Sequence, residues 1–92
     1  MDEITLKNEL KNLIVSELNL LDENGSPLDP DSIGDEMPFF SSEEGLNLDS
    51  VDALTLIPVI NEKYGVEIED EEQGQEAFQN INSLAGFILS RI

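Results

Sequence analysis

Apolar residues recur at intervals of three and four along the first part of the chain. This spacing places them on one face of a helix, and it predicts an amphipathic helix over residues 3–21. Glu3 and Lys7 stand four positions apart on that helix and are placed to form an ion pair. We interpret the segment as a helix that packs on a core and carries no chemistry. Its apolar positions are Leu6, Leu10, Leu13, Ile14, Leu18 and Leu21.

The clearest helical signals bound residues 50–64. Asp49 is a good N-cap, because its carboxylate can accept hydrogen bonds from the free N–H groups of the first turn. Asp52 adds negative charge where the helix dipole is positive. Gly65 is suited to the left-handed conformation that ends a helix. The positions expected to face the core are Ala53, Leu56, Ile57, Ile60 and Tyr64.

A second apolar stripe on the same helix consists of Val51, Leu54 and Pro58. Exposed apolar residues in such a stripe suit contact with a partner protein, but ordinary packing between helices explains Leu54 equally well. Pro58 lacks a backbone N–H, so it removes one helical hydrogen bond and crowds the preceding turn at a cost of roughly 3 kcal/mol. We therefore predict a kink or an irregular turn near residues 54–58.

A long connection follows the first helix and begins with the turn-forming residues Asp22, Asn24, Gly25 and Pro27. A structureless loop of this length is unusual in a small domain, so it needs apolar residues that anchor it to the core. A short helical turn is predicted at residues 41–44. The expected anchors are Ile33, Met37, Phe39 and Phe40.

The last part of the chain predicts one short helix and one longer helix. Residues 69–72 are expected to form an acidic segment in solvent. The short helix is predicted at residues 75–80, where Ala77 and Phe78 are apolar. Asn82 is the predicted N-cap of the last helix. The apolar positions of that helix are Leu84, Phe87, Ile88 and Ile92.

These elements predict an all-α fold, a four-helix bundle with three longer helices, one short helix and a long first loop. The chain has 92 residues, 39% of them apolar, which is enough for one modest core. We expect a single domain over residues 1–92.

The net charge of −17 is extreme for a chain of this size, with 21 acidic residues against four basic ones. Residues 12–62 contain no Lys or Arg. Nucleic-acid binding and adsorption to anionic membranes both need cationic side chains, so the composition argues against both. It favours basic protein partners that are attracted over a distance, although an acidic surface that serves solubility alone fits the composition equally well.

No segment of the sequence is suited to secretion or to membrane insertion. The first residues are acidic rather than basic, and the longest apolar run, residues 84–89, is too short to span a bilayer. The chain has no cysteine, which excludes disulfides and zinc–thiolate sites. We expect a monomer in the cytoplasm, without stable membrane insertion.

The residue types that most enzymes use are scarce. The chain has no His and no Cys, and no pair of its carboxylates lies in a protected context that would shift their pKa values. The acidic first loop is not an EF-hand calcium loop, because Pro27 and Ile33 stand where that motif needs Gly and Glu. We therefore expect a non-catalytic protein without a specific metal site.

Ser50 is the residue best placed for chemistry, as the acceptor of a group that another protein transfers. It occupies the first position of the predicted helix 50–64, directly after the Asp49 cap. Its hydroxyl is therefore close to free backbone N–H groups, and a phosphate attached to it would meet a favourable field. No general base of the usual kind lies near Ser50 in the sequence to make it a nucleophile in its own right.

The residues around Ser50 resemble the signature of acyl carrier proteins, in which Asp-Ser is followed by an apolar residue and then Asp or Glu. Here the motif is Asp-Ser-Val-Asp at residues 49–52, after a Gly-Leu-Asn-Leu lead-in at residues 45–48. The Tyr-Gly-Val-Glu-Ile segment at residues 64–68 is similar to the one that follows the second helix in that family. The resemblance covers about residues 33–92.

The resemblance implies that Ser50 carries 4′-phosphopantetheine, whose thiol holds an acyl group as a thioester. It implies that Asp49, besides capping the helix, helps a phosphopantetheinyl transferase to dock its coenzyme A. Further implied partners are enzymes of the acyl-ACP synthetase, ketosynthase or acyltransferase type with basic docking patches. The residues expected to contact partners are Val51, Asp52, Leu54, Thr55 and Pro58.

The outward face of helix 50–64 departs from the family's common pattern. Thr55, Pro58 and Asn61 stand where Glu and apolar residues are usual. Within fatty acid or lipid biosynthesis, this departure favours a specialised carrier over the housekeeping one. Two alternatives stay open: a polyketide-type carrier, and an unmodified acidic module that binds other proteins. A peptidyl carrier is disfavoured, because that group differs around the serine and is far less acidic.

Overall fold

The structure is a computed structural model that describes residues 2–41, 43 and 45–92. Within that part of the chain there are four α-helices, one 3-10 turn and no strand. The predicted all-α fold class, a four-helix bundle with a long first loop, is confirmed. The helices are α1 (Glu3–Leu18), α2 (Ser50–Tyr64), α3 (Glu71–Ala77) and α4 (Ile81–Leu89), and the 3-10 turn is Pro30–Ser32.

The helices pack around one apolar core. α1 contacts α4, α2 and the 3-10 turn, and α3 contacts α4. Among the described residues none that is polar or charged is buried, so burial of apolar surface is the main force that holds the fold. No helix in this part of the chain is long and apolar enough to cross a lipid bilayer. The largest fully buried side chains are Phe39, Phe78, Leu6, Leu10, Ile14, Ile33, Leu56, Ile60, Ile81, Leu84, Ile88 and Val66.

α1 ends earlier than the sequence predicts. It begins after Asp2, whose side chain accepts a hydrogen bond from the Thr5 N–H at 2.7 Å. Asn19 adopts the left-handed conformation (φ 51°), and its N–H donates to the Val15 carbonyl. Because Asn tolerates this conformation better than most residues, it closes the helix as glycine often does. The prediction that α1 extends to Leu21 is therefore wrong, and Leu21 is exposed.

Apolar side chains anchor the long loop between α1 and α2, as predicted, but one of the four predicted anchors is not buried. Ile33 and Phe39 are fully buried, and Met37 is half-buried. Phe40 is 46% exposed, so its prediction as a core anchor is wrong. The backbone of Phe39 is bonded to two other segments, because its N–H donates to the Gln79 carbonyl and its carbonyl accepts from the Leu48 N–H, and these bonds hold Phe39 at the core. The helical turn predicted at residues 41–44 includes positions 42 and 44, which lie outside the described residues.

Ion pairs and a backbone hydrogen bond attach the same loop to α1 and α4. Lys11 Nζ lies 2.8 Å from Asp35 Oδ1, and Lys7 Nζ lies 3.7 Å from Asp35 Oδ2. Lys7 also forms the predicted pair with Glu3, at 2.9 Å. The Asn82 N–H donates to the Asp35 carbonyl at 3.0 Å. The hydrogen bond from Lys11 lowers the pKa of Asp35, and the bond to Glu3 raises the pKa of Lys7.

α2 has the bounds that the sequence predicts. It ends at Gly65, which has φ 70° and donates its N–H to the Asn61 carbonyl at 2.8 Å. The helix continues through Pro58, so the proline does not end it; the kink near residues 54–58 stays a prediction. The predicted core face is confirmed, with Leu56 and Ile60 buried. The half-buried members of that face are Ala53, Ile57 and Tyr64.

The hydroxyl of Tyr64, near the end of α2, is buried without a hydrogen-bond partner in the part of the chain described. Burial disfavours the charged phenolate, and the nearby charge of Glu9 disfavours it further. These two causes, in that order, raise the pKa of Tyr64 to about 12.

α3 lies earlier in the chain than predicted. It begins after Asp70, whose Oδ1 accepts a hydrogen bond from the Gln73 N–H at 2.8 Å. Residues 69–72 are exposed, as expected of a segment in solvent, but Glu71 and Glu72 form the first turn of α3, where the positive end of the helix dipole favours them. The helix was predicted at residues 75–80 because Ala77 and Phe78 are apolar. In the structure these two residues lie at the end of α3 rather than at its start.

α4 also begins before the predicted cap. Asn80 Oδ1 accepts a hydrogen bond from the Ser83 N–H at 2.8 Å, so Asn80 is the N-cap and the prediction of Asn82 is wrong. The helix ends at Leu89, and Ile92 is exposed beyond it. The two Asn residues are equally good caps when only the local sequence is considered. In the fold, Asn82 lies in the first turn of α4, and the Asp35 carbonyl of the long loop accepts the hydrogen bond of its N–H, which has no acceptor within the helix.

Candidate functional site

Two aspartates hold the start of α2 through reciprocal hydrogen bonds. Asp49 Oδ1 accepts from the Asp52 N–H at 3.0 Å, and Asp52 Oδ2 accepts from the Asp49 N–H at 3.1 Å. The predicted Asp49 cap is therefore confirmed. The sequence predicted only a dipole effect for Asp52, whereas the structure gives it the second half of a capping box. Ser50 is thereby placed at the first helical position.

The chain that leads to Ser50 is paired with an earlier part of the loop. The Leu46 N–H donates to the Pro38 carbonyl at 3.1 Å, and the Leu48 N–H donates to the Phe39 carbonyl at 2.8 Å. A Cβ at Gly45 would collide with the Pro38 carbonyl, so only glycine fits this close approach. Since Phe39 and Leu48 are also buried, the segment before α2 is anchored to the core.

Ser50 is exposed and lies at the edge of an open groove of about 660 Å³. One wall of the groove is α2, and the other is formed by the link after α2 and by α3. Ser50 is the one hydroxyl-bearing residue among the described residues that line it. The apolar lining consists of Phe40, Ala53, Leu54, Ile57, Ile68 and Phe78.

The residues predicted to contact partners lie close together along the exposed side of α2. Val51 and Leu54 are each 66% exposed, which agrees with the predicted second stripe. Thr55 and Pro58 are exposed as well, and the Thr55 hydroxyl donates to the Val51 carbonyl at 3.0 Å. Of this set, Leu54 alone also lines the groove beside Ser50. Contact with partners stays a prediction for all five residues.

Sequence reasoning missed the wall of the groove that faces α2. Its acidic members are Glu69, Asp70 and Glu71, and Gly74 and Gln75 complete it. The signal was present, because Asp70 followed three residues later by Gln73 is a capping pattern. Gln73 also bonds back toward the start of the helix, since the Glu69 N–H donates to Gln73 Oε1 at 3.1 Å.

Carboxylates are abundant, but the structure does not gather them as metal ligands. Among the residues described, no group of three or more His, Cys, Asp or Glu side chains is arranged to hold a metal ion.

The start of α2 offers one exposed hydroxyl, a helix N-terminus and an adjoining apolar groove. It is suited to hold a group that is attached covalently and ends in an apolar chain.

Comparisons with known proteins bear on this site. Residues 8–88 match a protein family described as a phosphopantetheine attachment site. The chain is also similar to an acyl carrier protein of Thermosynechococcus vestitus (strain NIES-2133 / IAM M-273 / BP-1). The two are 28% identical over 92 residues, which cover 100% of this chain and 98% of that relative.

Proposed function

The chain belongs to the acyl carrier protein family, and we propose that Ser50 is the serine to which its phosphopantetheine is attached. Members of this family are carriers that hold 4′-phosphopantetheine covalently on a serine. The observation that supports Ser50 most strongly is its position, with an exposed hydroxyl at the start of α2 and at the edge of an apolar groove. None of the other serines lies in an Asp-Ser-Val-Asp context.

The residues around Ser50 fit a phosphate ester. The capping box of Asp49 and Asp52 holds the first turn of α2, which carries Ser50 at its first position. The positive end of the helix dipole favours the negative charge of a phosphodiester on Oγ. When attached, the group supplies a terminal thiol that holds an acyl chain as a thioester.

The groove beside Ser50 is suited to shelter the acyl chain. Its lining is mainly apolar, and burying each methylene of a chain there contributes about 0.8 kcal/mol. Ile57 and Ile68 line the groove and pack against the core, and Phe78, which lines it as well, is a core residue. Because the groove is open to solvent, a chain could leave it without unfolding the bundle.

The proposed partners are basic enzymes of acyl metabolism. The family interacts in general with phosphopantetheinyl transferases and with acyl-handling enzymes. A net charge of −17 attracts cationic docking patches over a distance and accelerates encounter. Val51 and Leu54 supply exposed apolar contacts next to Ser50, and Asp52, Thr55 and Pro58 complete the proposed docking face.

The proposed pathway is the biosynthesis of a specialised lipid. The outward residues Thr55, Pro58 and Asn61 support it, because they differ from the Glu and apolar residues usual in housekeeping carriers. Pro58 also lacks a backbone N–H, and the kink predicted near it would alter the shape of the docking face.

The test is the intact mass of the protein before and after incubation with a broad-specificity phosphopantetheinyl transferase and coenzyme A. We expect the wild type and the control variant Ser16→Ala to gain one phosphopantetheine, and Ser50→Ala to gain none. Ser16 is an exposed serine on α1, away from the groove. Because Asp49 caps the helix, Ser50→Ala should keep its circular dichroism and its melting temperature.

Two results would contradict the assignment. A mass gain on Ser50→Ala would place the group on another residue. If the wild type gained nothing while a known carrier was modified in the same tube, the result would favour an unmodified acidic module instead.

A further inference from the structure

Gly74 lies in the middle of α3, at a position where the backbone does not require glycine. Its φ is not positive, unlike those of Gly25 and Gly65. Its N–H donates to the Asp70 carbonyl at 3.0 Å, and its carbonyl accepts from the Phe78 N–H at 2.9 Å, as in a regular helix. Glycine at such a position destabilises a helix relative to alanine, because it loses more conformational freedom on folding. The local structure therefore favours a residue with a side chain.

Packing does not require glycine at this position either. Among the residues described, and apart from the backbone of α3 and the chain neighbours, a Cβ built on Gly74 meets only Ile68 Cγ2 within 4 Å. The distance is 3.8 Å, an ordinary van der Waals contact. At Gly45, by contrast, a Cβ would collide with the Pro38 carbonyl. Alanine thus fits at position 74 without a shift of the fold.

The free space next to Gly74 belongs to the groove beside Ser50. Gly74 and Ile68 both line this groove, so a Cβ in contact with Ile68 would lie at the surface that a bound chain meets. The groove has about 660 Å³, a volume typical of sites that hold small molecules. A side chain at position 74 would take up volume beside Ile68 that the glycine leaves free.

We propose that Gly74 determines the size of the acyl chain that the groove can hold. Its missing side chain leaves room for a long chain, and a larger residue would restrict the groove to shorter ones. This role rests on the proposed function, because the chain reaches the groove from Ser50. Each additional methylene that the groove buries favours the sheltered chain by about fourfold. The glycine therefore weakens α3 but increases the capacity of the groove.

Gly86 in α4 is a matched control. It is also a glycine within a helix, its φ is not positive, and outside its own helix no heavy atom of the described residues lies within 4 Å of a Cβ built on it. It is exposed and does not line the groove. Alanine at either position should strengthen its helix, so we expect the melting temperature of the protein with the arm alone to rise by roughly 4–8 °C in both variants.

The experiment compares chain lengths on the full-length protein. Phosphopantetheine analogues with amide-linked octanoyl, dodecanoyl and hexadecanoyl chains are attached to Ser50, and intact mass establishes that each sample is fully loaded. The readouts are the melting temperature relative to the protein with the arm alone, and the NMR shifts of Ile57 and Ile68, which line the groove. In the wild type we expect both readouts to increase with chain length.

Substitutions at position 74 should lower the longest length that the groove accepts. A leucine side chain has four carbon atoms, so in Gly74→Leu we expect it to displace about four methylenes of cargo. The hexadecanoyl chain should then raise the melting temperature no more than the dodecanoyl chain does. In Gly74→Ala we expect the octanoyl response to persist and the ratio of sheltered to free hexadecanoyl chain to fall by about fourfold. Gly86→Leu and Gly86→Ala should keep the length dependence of the wild type.

The outcomes separate this role from the attachment site. If both variants at position 74 keep the wild-type length dependence, the role of Gly74 is overturned while Ser50 remains the attachment residue. The same holds if the wild type shows no length dependence, or if the Gly86 variants lose it as well. If Gly74→Leu does not fold, the comparison of Gly74→Ala with Gly86→Ala decides. A protein that gains no mass on Ser50 overturns the proposed function, and the role of Gly74 with it.

Discussion

The start of α2 and the loop that precedes it are held by different kinds of contact. The start of α2 depends on Asp49 and Asp52, which lie within four residues of each other and bond reciprocally. The loop is held by distant partners: the Phe39 N–H donates to the Gln79 carbonyl at 3.0 Å, and Asp35 contacts α1 and α4. Local bonds thus orient Ser50, whereas long-range contacts decide where in the molecule it lies.

The largest effect should come from removing the main anchor of the loop. Phe39→Ala leaves a cavity in the core under the segment that leads to Ser50, and we expect it to lower the free energy of unfolding by ~3–5 kcal/mol. The measurement is urea denaturation followed by circular dichroism. The matched control is Phe40→Ala, which removes a half-exposed ring from the next position and should cost far less. Similar losses for the two variants would mean that the loop is not anchored through Phe39.

Removing the local cap should have a smaller effect. Asp49→Ala leaves the first N–H groups of α2 without an acceptor, so we expect a loss of about 1 kcal/mol in the free energy of unfolding. Asp49→Asn should lose much less, because its amide oxygen still accepts the bond. In a double-mutant cycle with Asp52→Ala, reciprocal bonding predicts a combined loss below the sum of the single losses. Strict additivity would contradict the capping box.

The ion pairs of the loop should contribute less again. Asp35→Asn removes the charge that Lys7 and Lys11 share, and since the Asp35 side chain is 43% exposed we expect a loss of only about 0.2–1 kcal/mol at neutral pH. The pKa of Asp35 is lowered in the folded state, so its contribution is present above the ordinary pKa and disappears as the pH falls through the lowered one. The measurement is denaturation of the wild type and of Asp35→Asn at a series of acidic pH values. The difference between their free energies of unfolding should decrease toward zero as the pH falls. A constant difference would point to packing rather than to charge.

The end of α2 offers the mildest perturbation, because it can be titrated without mutation. Tyr64 is the one tyrosine in the chain, so the absorbance of the phenolate reports on it alone. We expect a midpoint near the raised pKa of about 12 in the folded protein and near 10.0 in denaturant. Because folding favours the neutral phenol, stability present below the ordinary pKa is lost as the pH rises toward 12. Tyr64→Phe should remove that part of the alkaline loss, and a native midpoint near the ordinary value would show that the hydroxyl is hydrated.

The elements that the sequence predicted well are those with local signals at both ends. α2 has an Asp cap, a glycine stop and a clear apolar period, and its bounds agree with the prediction. α3 was misplaced because its apolar residues, Ala77 and Phe78, lie at its end, while Asp70 marks its start. α1 was predicted too long because the apolar period continues to Leu21, although Asn19 closes the helix.

The candidate site was predicted on one side only. Ser50 and Asp49 were predicted from the motif and the cap, and Leu54 from the helical period; the structure confirms the Asp49 cap and places Ser50 and Leu54 at the groove. The other wall of the groove was missed: residues 68–71 follow α2 closely in sequence, but only the tertiary fold brings them into one groove with Ser50, Ala53 and Leu54 near the start of that helix. Phe40 was assigned to the core together with Phe39, because the two residues are of the same type and nothing in the local sequence distinguishes their rings.

The sequence by itself determined the family motif, the extreme acidity, the position of Ser50 at the start of a helix and the all-α class. These depend on hydrogen bonds and periods that span a few residues, so they can be read along the chain. The tertiary structure alone decided which phenylalanine is buried, where α3 and α4 begin, and that an acidic wall faces the apolar side of α2. Those features depend on packing between distant segments, where the space left by one side chain determines the place of the next.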